Sequence, residues 1–301
     1  MKLELKNIEK SFGEKEVLKG ISFSALSGEA FGLLGRNGAG KTTTIRILMD
    51  VFPSNGGEVL IDGAPINYEN IKIGYLPEER GLYPKKKIIE QLIYFAALHG
   101  MKRKEATEAA DYWLERLEMT QYRNKRLDTL SKGNQQKIQL ITALAHNPQI
   151  VILDEPFSGL DPVNAMLLKD VVKEEIAKGK IVLFSSHQMN YIEEFCNNIA
   201  ILNEGEIVLQ GSLHDIKRNY TRDKLIVRSE DQDAIFSDLG QCCSKTEAGE
   251  LLIRLDSPDQ KQETMRHLTE AYDIDEIKVF EPSLNDIFVE YTGGEERGGE
   301  K

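Results

Sequence analysis

The chain opens on a short alternation of apolar and polar positions. Leu3, Leu5 and Ile8 alternate with Lys2, Glu4 and Lys6, and the pattern breaks at Ser11-Phe12-Gly13. Period-two alternation predicts half-buried strands, here an antiparallel pair joined at that break. A buried strand is expected at residues 30–34, then a glycine-rich loop, then a helix from Lys41. Ser54-Asn55-Gly56-Gly57 predicts a turn, and residues 58–62 and 71–76 predict strands. Between Ile88 and Leu117 the period lengthens to that of a helix, through Ile88, Ile89, Leu92, Phe95, Ala96 and then Ala109, Trp113, Leu114, Leu117. Residues 80–138 therefore read as a mostly helical subdomain inserted into a sheet domain. Trp113 belongs to its core.

Residues 150–154 form a near-continuous apolar run, as a strand covered on both faces requires. Asp161-Pro162 opens a helix, with Asp as cap and Pro in the first turn, and Gly179 follows its end. Strands are expected at 181–185 and 199–202, with a hairpin turn at Glu204-Gly205 into 206–211. Strands alternating with helices call for a mostly parallel sheet, hence an α/β fold. From about residue 219 the pattern changes. Strand-like segments at 224–228, 250–255 and 276–280 are interleaved with helical ones at 232–239 and 260–271, and Ser283 caps a last helix to Tyr291. The expected organisation is a main domain over 1–218, a small α+β accessory domain over 219–292 and a disordered tail at 293–301.

Charge and cysteine usage narrow the partners. The 301 residues hold 38 Lys+Arg against 49 Asp+Glu, a net charge of −11. An acidic chain is a poor nucleic-acid binder, so no nucleic-acid partner is expected. The runs Lys85-Lys86-Lys87 and Lys102-Arg103-Lys104 read as solvated faces. No apolar run approaches the ~18 residues of a membrane span, which predicts a cytoplasmic chain whose membrane span, if it acts at a membrane, comes from another polypeptide. Three cysteines give no Cys-x-x-Cys pair; Cys196 reads as core, and Cys242-Cys243 as packing.

Two segments carry chemistry. Gly35-Arg36-Asn37-Gly38-Ala39-Gly40-Lys41-Thr42, followed by Thr43, fits the phosphate-binding loop G-x-x-x-x-G-K-[ST]. Glycines let successive backbone N–H groups converge on phosphates, and the helix that starts at Lys41 adds its positive end. Lys41 reaches the outer phosphates and Thr42 offers a hydroxyl to Mg²⁺. Ile150-Val151-Ile152-Leu153-Asp154-Glu155 ends a strand in two carboxylates at the ligand-binding edge of a parallel sheet. Asp154 is positioned to hold Mg²⁺ and Glu155 to act as general base on water.

With Leu130-Ser131-Lys132-Gly133-Asn134-Gln135-Gln136 placed ahead of a helix expected at 137–145, the order of motifs resembles the ATP-binding-cassette (ABC) ATPases over residues 1 to about 215. The resemblance implies that Phe12 stacks on adenine and that Ser131, Lys132, Gly133, Asn134 and Gln135 form a signature touching the ATP of an opposite subunit. It further implies a loop at Leu76-Pro77-Glu78-Glu79, a second loop at Ser158-Gly159-Leu160-Asp161, and a switch histidine, His187, at the γ-phosphate. Two of these motifs depart from the family. Glu78 stands where the family has Gln, which makes it a third candidate metal ligand beside Thr42 and Asp154. Lys132 and Asn134 replace the first Gly and the Gln of the usual Leu-Ser-Gly-Gly-Gln. Lys132 makes the site more positive and would partly offset the negative charge that Glu78 adds.

The family implies ATP and Mg²⁺ as cofactors, a second ABC ATPase subunit as partner, and turnover by hydrolysis. The segments 74–84 and 132–136, and a C-terminal extension ending near Pro282-Ser283-Leu284-Asn285-Asp286-Ile287-Phe288, resemble the sodium-extrusion (Nat-type) branch of bacterial exporters. A separate multi-span transmembrane subunit would then dock on Leu82, Tyr83 and Pro84, placing the chain peripherally on the inner face of the membrane. The alternative is a soluble ABC ATPase of DNA repair or translation. The first of these carries long coiled coils between its nucleotide motifs, and no heptad array occurs here. The second carries two cassettes in one chain, and this sequence has a single phosphate loop.

Overall fold

The computed structural model describes every residue except Arg80, His187, 220–222, 247–248 and 294–301. The chain divides into two compact units, Met1–Leu213 with Phe288–Lys301, and His214–Ile287.

The first unit begins with β1 (Lys2–Phe12), β2 (Lys15–Leu26), β3 (Ala30–Gly35), α1 (Lys41–Leu48), β4 (Gly56–Ile61), β5 (Ala64–Pro65) and β6 (Ile73–Leu76). Helices α2 (Ile88–Leu98), α3 (Arg103–Arg116) and α4 (Lys132–Leu144) follow, then β7 (Ile150–Asp154), α5 (Pro162–Ala177), β8 (Ile181–Ser185), α6 (Met189–Phe195), β9 (Asn198–Asn203) and β10 (Glu206–Ser212). The alternating N-terminal segment makes the expected antiparallel pair, with Leu5 opposite Phe23, in a sheet ordered β2-β1-β4-β5. The second sheet is ordered β10-β9-β3-β8-β7-β6, parallel from β9 to β6, with β10 antiparallel at its edge. Its inner strands β3, β7 and β8 are buried at every position, which is why they read as unbroken apolar runs. Leu3, Leu5, Phe23, Phe31, Ile45, Ile152 and Leu183 share the core between the two sheets. The fold is α/β with N-terminal antiparallel strands and a helical insertion, as the sequence predicts.

Local chemistry shifts two elements from their expected places. Strand β4 starts at Gly56, inside the expected turn. Gly57 lies so close to β1 that a Cβ there would come within 2.2 Å of the Asn7 carbonyl oxygen, so this glycine serves a close strand approach. Helix α4 starts at Lys132 rather than at 137, because the Ser131 hydroxyl accepts from the Asn134 amide at 3.3 Å and caps it there. Helix α5 is capped as expected, Asp161 accepting from the Asn164 amide at 3.0 Å with Pro162 next.

The second unit carries most of α7 (Leu213–Asn219), then β11 (Lys224–Ser229), α8 (Gln232–Leu239), β12 (Cys243–Lys245), β13 (Leu251–Arg254), α9 (Lys261–Ala271), β14 (Ile274–Val279) and the start of α10 (Leu284–Tyr291). Its antiparallel sheet, ordered β12-β13-β11-β14, packs around Leu225, Val227, Ile235, Leu251, Ile253 and Leu268. Cys243 belongs to that core and Cys196 is buried in the first unit. The division at Leu213/His214 falls earlier than residue 218, and the segment from Phe288 groups with the first unit instead of the second. The bond from Arg36 to Thr292 is one reason for the latter. Of the tail at 293–301, only Gly293 lies within the described residues. No helix among the described residues is long and apolar enough to cross a membrane.

Candidate functional site

Neighbouring parallel strands deliver the site. β3 runs into the phosphate loop, β8 into Ser185-Ser186, and β7 into Asp154-Glu155, with β8 lying between the other two. Their carboxyl ends form the crevice in which open α/β sheets bind ligands. Gly40, the N-cap of α1, has φ +114° and makes no side-chain cap bond. A side chain at that φ is strained, and a Cβ would meet Leu18 at 2.6 Å. The first-turn amides of α1 thus carry no side-chain cap at Gly40, the arrangement that an anion site at a helix start requires.

A cavity of about 1170 Å³ collects Phe12, Gly35, Arg36, Asn37, Gly38, Gly40, Lys41, Thr42, Thr43, Glu78, Asp154 and Glu155. Ala39 is buried behind the loop. Lys41 folds over the loop, its Nζ donating to the carbonyl oxygens of Gly35 (2.6 Å) and Arg36 (3.2 Å). Burial lowers its pKa, opposed by the charges of Asp154, Glu155 and Glu78. Burial holds the Asp154 carboxyl above the usual range, reinforced by Glu78 and Glu155. The Tyr75 hydroxyl donates to Asp154 Oδ2 at 3.4 Å, and burial, then Asp154, push its pKa up to about 12. Glu155 is 6% exposed and sits at φ +49°. Its amide donates to the Ser185 carbonyl at 2.8 Å, and its Oε2 accepts from the Ser186 hydroxyl at 2.9 Å. Thr42, Asp154 and Glu78 bring a hydroxyl and two carboxylates to the same cavity. That is a hard oxygen set suited to Mg²⁺, which completes its shell with water and phosphate oxygens.

Phe12 is 51% exposed but firmly backed. Its ring meets Phe52 edge-on at 5.5 Å, and Lys10 Nζ lies 5.3 Å and 4.9 Å from the two ring centres while donating to the Pro53 carbonyl at 2.6 Å. The signature residues lie elsewhere. None of Ser131, Lys132, Gly133, Asn134 and Gln135 lines the cavity of its own chain. Ser131 and Lys132 are exposed at the start of α4, and Gly133 is buried near Leu160. The Gln135 amide group is engaged locally, donating to the carbonyls of Leu130 (2.9 Å) and Leu127 (3.2 Å). His187 lies outside the described residues. Sequence reasoning missed Tyr75, Ser186, Lys10, Phe52 and Phe288. Two of them carry a local signal, Ser186 in the serine pair before His187 and Lys10 two residues from Phe12 on β1; Tyr75, Phe52 and Phe288 reach the site through tertiary contact.

A hydroxyl, a lysine and carboxylates beside converging amides are equipped to bind a nucleoside triphosphate and to direct water at its terminal phosphate. Comparison with known proteins agrees. The ABC transporter family profile matches residues 18–158, and that of the ATP-binding protein DrrA1-3-like C-terminal domain matches 211–292. The uncharacterized ABC transporter ATP-binding protein YhaQ of Bacillus subtilis (strain 168) is 44% identical over 97% of this chain and 98% of its own length. The linearmycin resistance ATP-binding protein LnrL of the same organism is 36% identical over 74% of this chain and 73% of its own. Among solved structures, the dimeric post-hydrolysis state of the ATP-binding cassette MJ0796, bound to ADP and Pi, superposes with a TM-score of 0.63 at 26% identity, covering 70% of this chain and 98% of that one. With YhaQ matching nearly end to end and the phosphate loop, Asp154 and Glu155 gathered in one cavity, the chain belongs to the ATP-binding, ATP-hydrolysing subunits of ABC transporters.

Proposed function

We propose that this chain is the motor of an exporter, closing with a second ABC ATPase subunit over ATP and driving a separate multi-span membrane subunit from the cytoplasmic face. The first unit acts as the nucleotide-binding domain, with 80–138 as its helical subdomain, and the second unit as the accessory domain. Glycines and amides of residues 35–43 hold the phosphates, and Phe12 stacks on the base. Thr42, Asp154 and Glu78 hold Mg²⁺, which neutralises the developing phosphate charge when bound. Glu155 takes the proton from the attacking water, and His187 orients that water at the γ-phosphate.

The observation that carries this reading is the division of the machinery. One cavity gathers the phosphate loop, Phe12, Glu78, Asp154 and Glu155, and leaves the signature residues 131–135 outside it. A signature that lines no part of its own chain's cavity is available to another subunit's nucleotide, and the MJ0796 cassette is dimeric with ADP and Pi. Export is supported by the resemblance to the Nat-type branch and by a relative named for linearmycin resistance. The helical subdomain offers a docking face. Leu82 is packed inside, while Tyr83 (52% exposed) and Tyr94 (50%) flank Lys86, Glu90 and Gln91 around a groove of about 300 Å³.

Glu155→Gln is the test. Turnover is expected to fall by about 10²-fold or more, and a stable ATP-bound dimer to appear in light scattering with Mg²⁺ and ATP. Near-normal turnover would refute the base assignment. Affinity capture from detergent-solubilised membranes is expected to bring down a multi-span protein; recovery of ribosomes or DNA instead would refute the transport reading.

A further inference from the structure

The last described residues return to the nucleotide cavity. Phe288 lines it together with Phe12, Arg36 and Gly38, and the segment from Phe288 groups with the first unit. Thr292, one helical turn on, is 5% exposed. Its hydroxyl donates to the Phe288 carbonyl at 2.7 Å and accepts from Arg36 Nε at 3.2 Å. Its amide donates to the same carbonyl at 3.0 Å. Arg36 is the second residue of the phosphate loop, so the loop and the C-terminal segment are joined by a bond whose acceptor is buried. The cavity measures about 1170 Å³ with Phe288 already in its wall, at least the size of the ~300–1,000 Å³ pockets that hold small ligands. Phe288 is therefore a wall of the site and not a plug in it.

Most of the other lining side chains are charged or lie against the phosphate loop; Phe12 and Phe288 are the two aromatic rings among them. A planar purine gains from an aromatic or apolar wall and a triphosphate does not. We infer that Phe288 contacts the base or ribose end of ATP, and that Thr292 positions the phosphate loop through Arg36. The C-terminal segment is then part of the nucleotide site of its own chain. This rests on the ATP reading above, and the experiment separates the two.

Calorimetric titration of the purified full chain with ATP and with inorganic tripolyphosphate reads base and phosphate contacts apart. Phe288→Ala is expected to weaken ATP by about 5-fold or more, the size of a lost base–aromatic stack, while tripolyphosphate affinity stays within about 2-fold. Phe288→Tyr is expected to restore ATP binding. Thr292→Val is expected to weaken both ligands, because it acts on the loop, with Thr292→Ser restoring both. Tripolyphosphate binding also reports that each variant is folded. Wild-type binding of ATP with an unchanged Phe288→Ala, or equal loss of both ligands in Phe288→Ala, overturns this inference and leaves the ATP reading standing. Wild type binding neither ligand overturns both.

Discussion

Glu155 is held in a backbone conformation that costs a non-glycine residue of order ~1–3 kcal/mol. The other non-glycine residues at positive φ among those described, Asn7, Asp50, Asp62, Glu118, Asn147 and Glu204, are exposed, whereas Glu155 is buried. Strain at a buried carboxylate needs compensation, and the Ser185 carbonyl and the Ser186 hydroxyl supply it. Ser186 thereby helps to fix the direction of the carboxylate. Ser186→Ala is expected to lower kcat by about tenfold, the loss of one hydrogen bond to a charged group, with ATP affinity unchanged in an equilibrium titration. Loss of affinity in step with kcat would mean that the hydroxyl serves the fold and not Glu155. Glu78 is a different case, because it puts a third carboxylate near Lys41, beside Asp154 and Glu155. Glu78→Gln is expected to raise the Mg²⁺ concentration for half-maximal ATPase activity. An unchanged Mg²⁺ titration would leave Glu78 without a metal role.

At the scale of elements, legibility follows burial. Strands β3, β7 and β8 are covered on both faces, so their sequences carry continuous apolar runs that mark them without ambiguity. Helix α5 is marked by its own cap chemistry. The first turns of α4 are polar and carry Gly133, so periodicity places the helix start five residues late, whereas the capping hydroxyl of Ser131 places it correctly. The three-residue β12 is too short to show any period. Phe52, Tyr75 and Phe288 enter the site from distant segments, and no local pattern announces such contacts. The same applies to His146, which follows α4. Its ring stacks on His99 at the end of α2 with 3.7 Å between centres, and its Nε2 lies 3.1 Å from the Ile73 carbonyl of β6, so one buried ring joins three elements. Burial, then His99, lower its pKa from 6.5 to about 4. The folded chain therefore keeps this imidazole neutral where the unfolded chain protonates it. Stability is lost as pH falls from the unfolded value of 6.5 towards about 4, by at most about 3 kcal/mol from this group. His146→Gln is expected to flatten that acid limb, seen as a smaller drop in melting temperature between pH 7 and pH 4.5 than in wild type. Parallel curves for the two proteins would show that His146 does not titrate with unfolding.

For the whole molecule the decisive quantity is charge. Each chain carries −11, and nucleotides add more negative charge, so two such subunits repel at long range. Pairing must draw on local attraction at the faces that meet. Lys132 is exposed in the first turn of α4, where the helix dipole adds its own positive end, and it stands outside the cavity of its own chain. These properties fit the proposed role of Lys132 as a cation directed at a partner's phosphates. In a Glu155→Gln background, Lys132→Glu is expected to weaken ATP-driven pairing by about tenfold or more at 0.1 M salt, where the Debye length is about 10 Å. The deficit is expected to shrink at 1 M, where that length is about 3 Å. Sedimentation equilibrium at the two salt concentrations measures both effects, and a fluorescent-nucleotide titration of the dilute monomer is expected to show unchanged affinity. Reduced pairing without reduced nucleotide binding locates the lysine's partner on the other subunit. A deficit that ignores salt would point to a steric cause, and undiminished pairing at 0.1 M would remove Lys132 from the interface altogether.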